Sequence, residues 1–134
     1  MAQTNVPEDV KYTNQHEWVR VEGRTATVGI TDFAQHALGE VTYVELPQLG
    51  AKMTQGKECA VVESLKAASD VYAPVGGEVV GVNDALEADP KAINADPYGS
   101  GWLCKLDGAD QAELATLLSP EQYAELLSKE EARS

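Results

Sequence analysis

Histidine and cysteine are scarce in this chain, with two of each among 134 residues. A zinc site of the usual ligand sets would need both pairs to converge, and the spacing of His16, His36, Cys59 and Cys104 offers no local cluster. Both cysteines lie in apolar segments, KECAVVE and GWLCKLD, without a CxxC spacing. They read as small core-facing residues. A disulfide between them stays open, although nothing points to an oxidising compartment. Positive charge is the second shortage: 10 basic residues stand against 22 acidic ones, a formal net charge of -12. Such a field repels phosphate backbones and anionic lipid headgroups, which argues against nucleic-acid and membrane partners. It suits docking on basic protein patches, but charge that merely maintains solubility has the same composition. Long apolar runs are missing too. None approaches the roughly 20 residues of a spanning helix, and MAQTNVPEDVKYTN has neither a basic n-region nor an apolar h-region. A cytoplasmic protein starting near Met1 is expected. No glycine pair ends in GK[ST], so Gly76-Gly77 and Gly99 to Gly101 read as turns rather than phosphate cradles.

What is present describes a folded β protein. A 134-residue chain, 43% hydrophobic and 24% charged, suffices for one domain over 1–134 with a core at about 11–123 and flexible tails. HEWVRVEGRTATVGIT alternates in two halves about EGR, placing Trp18, Arg20 and Glu22 on one side and Val19 and Val21 on the other, and predicts a hairpin. TDFAQHALGE predicts a short helix with Thr31 or Asp32 as N-cap and Gly39 as its stop. EVTYVELP, KECAVVESL, SDVYAP, GEVVGVN and WLCKLD predict strands, and DALEADPKAIN a helical piece broken at Pro90. The chain ends in a helix: Ser119, Pro120 and Gln122 form a capping box, and Tyr123, Leu126 and Leu127 an apolar stripe. EVTYVELPQLGAKMTQG and EVVGVNDALEADP echo one another, which suggests two similar halves of a flattened sandwich of short strands.

No nucleophile with its base is evident. Carboxylate pairs such as Glu17 and Glu22 arise by chance among 22 acids and read as a solvated face. His16 reads as a structural histidine at a strand end and His36 as surface. Lys66 stands apart: in ESLKAASDVYAP it falls at a hairpin tip among small residues, with Glu63 before it and Asp70 after it. A lone turn lysine is most often only solvated. The alternative is a modification site, an ammonium that another enzyme reaches and acylates.

ESLKAASDVYAPVGGEVV, preceded by HEWVRVEGRTATVGITDFAQHALGEVTYVELP and followed by INADPYGSGWLCK, resembles the glycine cleavage H proteins from about Lys11 to Tyr123. Lipoyl domains of 2-oxoacid dehydrogenases and biotin carriers share a lysine tip but not the HEW and DPYGSGW blocks. The resemblance implies a mainly β, lipoyl-domain-like barrel-sandwich hybrid with short helices and a C-terminal helical segment. It implies lipoate in amide linkage on Lys66, and a carrier rather than an enzyme. The partners so implied are a glycine decarboxylase (P protein) that loads an aminomethyl group, an aminomethyltransferase (T protein) that unloads it, a dihydrolipoyl dehydrogenase (L protein) and the lipoylating enzymes. By position, Glu17 and Asp70 match acids that approach the amino end of the loaded arm, and Glu63 matches a family acid beside the lysine, for which we suggest a role in recognition by the lipoylating enzyme. Gln15 stands where some relatives have a serine that shares the arm contact. Two other readings remain: a relay that donates lipoate to other carrier domains, and an unmodified acidic binding module.

Overall fold

The β-branched runs pair into two antiparallel sheets. The computed structural model describes residues 5–133. Strands β1 (Lys11–Tyr12), β2 (Glu17–Glu22) and β3 (Thr25–Ile30) start a six-stranded sheet. A three-stranded sheet contains β4 (Val41–Glu45), β6 (Glu58–Ser64) and β7 (Ala68–Tyr72) in the order β4-β6-β7. The larger sheet is completed by β5 (Lys52–Met53), β8 (Gly77–Val82) and β9 (Cys104–Asp107), in the order β1-β2-β3-β9-β8-β5. The β2–β3 hairpin closes over Gly23 and Arg24, and Gly23 takes the positive φ of 64° that so short a turn demands. The first strands of the two echoing segments, β4 and β8, fall one in each sheet, but β4 leads on to β5 of the larger sheet, whereas β8 leads into α2 (Ala85–Ala88).

The helices are short except for the last. In α1 (Asp32–Leu38) the cap is Thr31, whose hydroxyl accepts the Ala34 N–H at 3.2 Å, and Gly39 ends the helix at φ 82°. After α2 the break at Asp89 and Pro90 leads into α3 (Ala92–Ala95), and α4 (Gln111–Leu114) follows β9. The terminal α5 (Pro120–Arg133) starts with a reciprocal box: Gln122 N–H donates to Ser119 Oγ at 3.1 Å, and Ser119 N–H to Gln122 Oε1 at 2.9 Å. Among the described residues no helix is long and apolar enough to cross a membrane.

Three apolar clusters hold the layers. Ile30, Val44, Val62, Val71, Ile93 and Leu103 belong to one; Val19, Val28, Val79 and Leu106 to a second. The third is aromatic and joins Tyr12, Trp18 and Tyr98 to Tyr123 and Leu127 of α5. It alters the predicted alternation of β2. Trp18 is buried as fully as Val19, because the Tyr98 loop covers the outer face at the start of the strand, whereas Val21, on the face of Val19, is 37% exposed. The indole lies flat over Gly29, where a β-carbon would stand 2.6 Å from three of its atoms, and donates to Pro97 O at 3.0 Å. The packed body extends past the expected 11–123, since Val10 and Leu127 are buried. Of the flexible tails expected on either side of 11–123, residues 1–4 and 134 lie outside the described residues. Cys59 and Cys104 are buried and free, which settles the open disulfide, and the Cys104 thiol beside it, with burial, pushes the Cys59 thiol up from its ordinary range.

Candidate functional site

The β6–β7 hairpin carries Leu65, Lys66 and Ala67 at its tip. Ser64 fixes the reversal. Its N–H donates to Ala67 O at 2.8 Å, and its hydroxyl oxygen accepts the Lys66 and Ala67 N–H groups at 3.3 and 3.2 Å. The tip therefore has its own backbone hydrogen bonds and projects without packing support: Leu65 is 89% exposed, and Lys66 is exposed as well. The lysine leans across to the end of α1, its Cε 3.5 Å from where a β-carbon on Gly39 would be. Among the described residues no carboxylate lies within ion-pair distance of it, so the flanking Glu63 and Asp70 leave the ammonium unpaired.

Beside the tip, the open edge of β7, α1 and the start of β2 enclose a cleft of about 310 Å³. Ile30, Phe33, Leu38, Val62 and Val71 make its walls apolar, and Gln15, His16, Glu17 and Asp70 make one end polar. Asp70 and Gln15 are exposed. Glu17 is not: it is 2% exposed, which corrects the reading of Glu17 and Glu22 as a solvated face, though Glu22 is exposed as expected. Its two oxygens accept the Thr13 hydroxyl at 2.6 Å and the Tyr72 N–H at 3.0 Å, so the carboxylate stands in for a neighbouring strand along the edge of β7. Burial raises its pKa from the ordinary 4.5, against the opposing pull of those two hydrogen bonds. Glu63 lies elsewhere. It pairs in register with the exposed Tyr43, on the face of the small sheet opposite the buried Val44 and Val62, and does not line the cleft.

His16 is structural, as expected, and it also lines the cleft. It has φ 71°, the only positive φ outside glycine among the described residues; such a conformation costs a bulky side chain roughly 1–2 kcal/mol. His36 is exposed surface. Among the described residues no group of three or more histidine, cysteine or acidic side chains is placed to share a metal ion.

A family model described as glycine cleavage H-protein matches residues 10–130. The chain belongs to this family. The H protein of Carboxydothermus hydrogenoformans is 50% identical over 125 residues, 93% of this chain and 96% of the relative. That of an Enterobacter species is 52% identical over 128 residues, 95% and 99% of the two chains. The crystal structure of a glycine cleavage system H protein from Mycobacterium marinum matches with a TM-score of 0.82 at 37% identity, covering 92% of this chain and 99% of that one. The two sheets are accordingly the barrel-sandwich fold of the glycine cleavage H-proteins. Within this H-protein, the residues that sequence reasoning missed are Thr13, Tyr72, Tyr123 and Glu130, which hold Glu17 and His16. Thr13 lies only four residues before Glu17, but no local spacing signals the other three, since Tyr72 lies 55 residues from Glu17, and Tyr123 and Glu130 lie 107 and 114 from His16.

Proposed function

We propose that the chain is the lipoate-bearing carrier of the glycine cleavage system, modified on Lys66. The observation that supports this most is an exposed amine without an ion pair among the described residues, on a self-supporting tip, beside an apolar cleft that ends in carboxylates. Lys66 Nζ would lose two protons, one to become the attacking amine and one as the amide forms with an activated lipoyl carboxyl and the activating group leaves, which takes the formal charge from -12 to -13. Lipoate so bound would supply a disulfide that takes up an aminomethyl group and is later reoxidised from the dithiol.

The residues present fit such a group. The hydrocarbon part of the arm suits Ile30, Phe33, Leu38 and Val71, which would withdraw it from water. Asp70 at the rim supplies negative charge for the cationic amino end. Glu17 keeps unused lone pairs on both oxygens, and a cation beside it would draw its carboxyl back toward the ionised form. Both acids hold and orient, and neither transfers a proton. Glu63, on the opposite face beside Tyr43, suits recognition by the lipoylating enzyme. The P, T and L proteins would use the same tether in turn, which raises the local concentration of cargo into the millimolar range for short linkers. The cytoplasm is the compartment this reading assigns.

Intact mass spectrometry of the protein from its native cell tests the proposal. A lipoyl increment that disappears in Lys66→Arg supports a carrier, while an unmodified chain favours a binding module. Lipoylated protein that fails to support glycine-dependent CO2 exchange with P protein would instead mark a relay for lipoate.

A further inference from the structure

The left-handed backbone at His16 is held from an unexpected side. Both ring nitrogens are engaged by α5: Nδ1 lies 2.8 Å from Tyr123 Oη, and Nε2 3.2 Å from Glu130 Oε1. The ring also lies on Phe33 of α1, with centroids 4.6 Å apart. Tyr123 Oη continues to Thr31 Oγ1 at 2.7 Å, and Thr31 caps α1. One direction of donation satisfies the whole string, each proton used once: Ala34 N–H to Thr31, Thr31 O–H to Tyr123, Tyr123 O–H to His16 Nδ1, and His16 Nε2–H to Glu130.

The string ends where the polar end of the cleft begins. His16 N–H donates to Thr13 O at 3.2 Å, and its carbonyl accepts Thr31 N–H at 3.0 Å. Thr13 Oγ1 in turn accepts the Gln15 and Glu17 N–H groups, each at 3.2 Å, while donating to the Glu17 carboxylate. The turn that carries Gln15, His16 and Glu17 is thus fixed at its centre by a helix far along the chain. That helix rests on the body through few side chains. Tyr123 stacks on Tyr12 at 4.4 Å with planes 3° apart, and Leu127 is buried, whereas Glu121, Glu125 and Lys129 face solvent. Strained backbone persists only where its surroundings over-determine it, and here α5 adds both ring contacts to the hold that Thr13, Thr31 and Phe33 already give.

We propose that α5 is a clasp on the cleft. Docked, its Tyr123 and Glu130 keep His16 in the left-handed turn that seats Glu17 against the edge of β7 and aligns the polar end for a cationic cargo. Undocked, His16 relaxes and the cleft loses its hold. His16, Tyr123 and Glu130 are positioning residues and need not touch the cargo. The inference rests on the carrier reading and deepens it.

Tyr123→Phe removes the hydroxyl and keeps the ring that stacks on Tyr12. In the unmodified chain, amide hydrogen exchange at Glu17 and Tyr72 should rise about fivefold, the equivalent of one neutral hydrogen bond. Val79 and Leu106, on β8 and β9 in the far part of the large sheet, should exchange as before. Glu130→Gln, at a half-buried site on α5, should move the same two amides by a smaller factor. In lipoylated protein loaded from glycine by P protein, Tyr123→Phe should shorten the lifetime of the loaded form about fivefold as well. That effect should shrink in an Asp70→Ala background, since both changes act on one bound group. A uniform rise in exchange across the sheets would reduce Tyr123 to a plain stability role and overturn the clasp. So would a lifetime that Asp70→Ala shortens and Tyr123→Phe leaves alone, with the carrier reading intact. If neither variant changes the lifetime, the cleft itself is not the arm's seat and the carrier reading of it falls.

Discussion

Glu17 invites a paired substitution, because its carboxylate has a structural task and a charge that can be removed separately. Glu17→Gln keeps the shape and one of the two bonds: the amide oxygen can accept the Tyr72 N–H, while the Thr13 hydroxyl, whose oxygen already accepts two backbone N–H groups, loses its acceptor. Glu17→Ala removes both partners from a side chain only 2% exposed. Each orphaned buried group costs about 1–3 kcal/mol, partly offset because a desolvated charge goes too, so about 2–4 kcal/mol is expected for alanine, which orphans two groups, and about 1 kcal/mol for glutamine, which orphans one. With an unfolding entropy of about 2.1 cal/mol/K per residue, 134 residues give about 280 cal/mol/K, so 1 kcal/mol shifts Tm by about 3.5 °C. Alanine should lower Tm by about 7–14 °C and glutamine by less than about 4 °C, read by circular dichroism at neutral pH. The pH dependence gives an independent sign. Burial holds the folded carboxyl above its ordinary 4.5, so the folded state binds the proton more tightly than the unfolded one. Its contribution is therefore fully present below 4.5 and is lost as pH rises through the folded value. The stability difference between wild type and Glu17→Gln should move against wild type across that window and be flat above it. Equal destabilisation by glutamine and alanine, or a difference that moves the opposite way with pH, would refute the account of Glu17 as a desolvated cap on the edge of β7.

Other outcomes follow from single contacts. Asp70→Ala should leave lipoylation intact and shorten the lifetime of the aminomethyl-loaded form about two- to fivefold, as for one exposed ion pair; an unchanged rate of ammonia release would remove Asp70 from the site. Gly29→Ala should force the indole of Trp18 off its seat and destabilise the fold by about 1–3 kcal/mol, and Trp18→Phe should restore part of the loss in the double variant. Lys66→Arg should keep Tm within about 2 °C, since the exposed side chain has no ion pair among the described residues; a larger fall in a thermal melt would mean that its contact with Gly39 bears weight.

The features legible in the sequence are those written in neighbouring residues. The Lys66 tip follows from two β-branched runs separated by small residues, and the α5 box from Ser119, Pro120 and Gln122, because the groups that satisfy one another lie within one turn of chain. Thr31 and Asp32 were equal candidates for a cap until the Ala34 N–H chose the hydroxyl. What stayed hidden depends on distant partners. The alternation about Trp18 and Val19 implies one wet face, and only the Tyr98 loop and α5, folding back from the far end of the chain, make that face dry. Glu17 likewise resembles any surface acid until the amide of Tyr72 reaches it. His16 carries no sequence mark of a left-handed backbone, a conformation that asparagine or glycine would have advertised.

The concealment of both thiols has a consequence for a protein proposed to carry a strained cyclic disulfide. Thiol–disulfide exchange needs a thiolate within reach, and this chain offers none: Cys59 and Cys104 lie between the sheets, and Cys59 holds its proton against its neighbour. The carrier is thereby insulated from its own load, and oxidising equivalents leave only through an external acceptor instead of being short-circuited into a mixed disulfide at home.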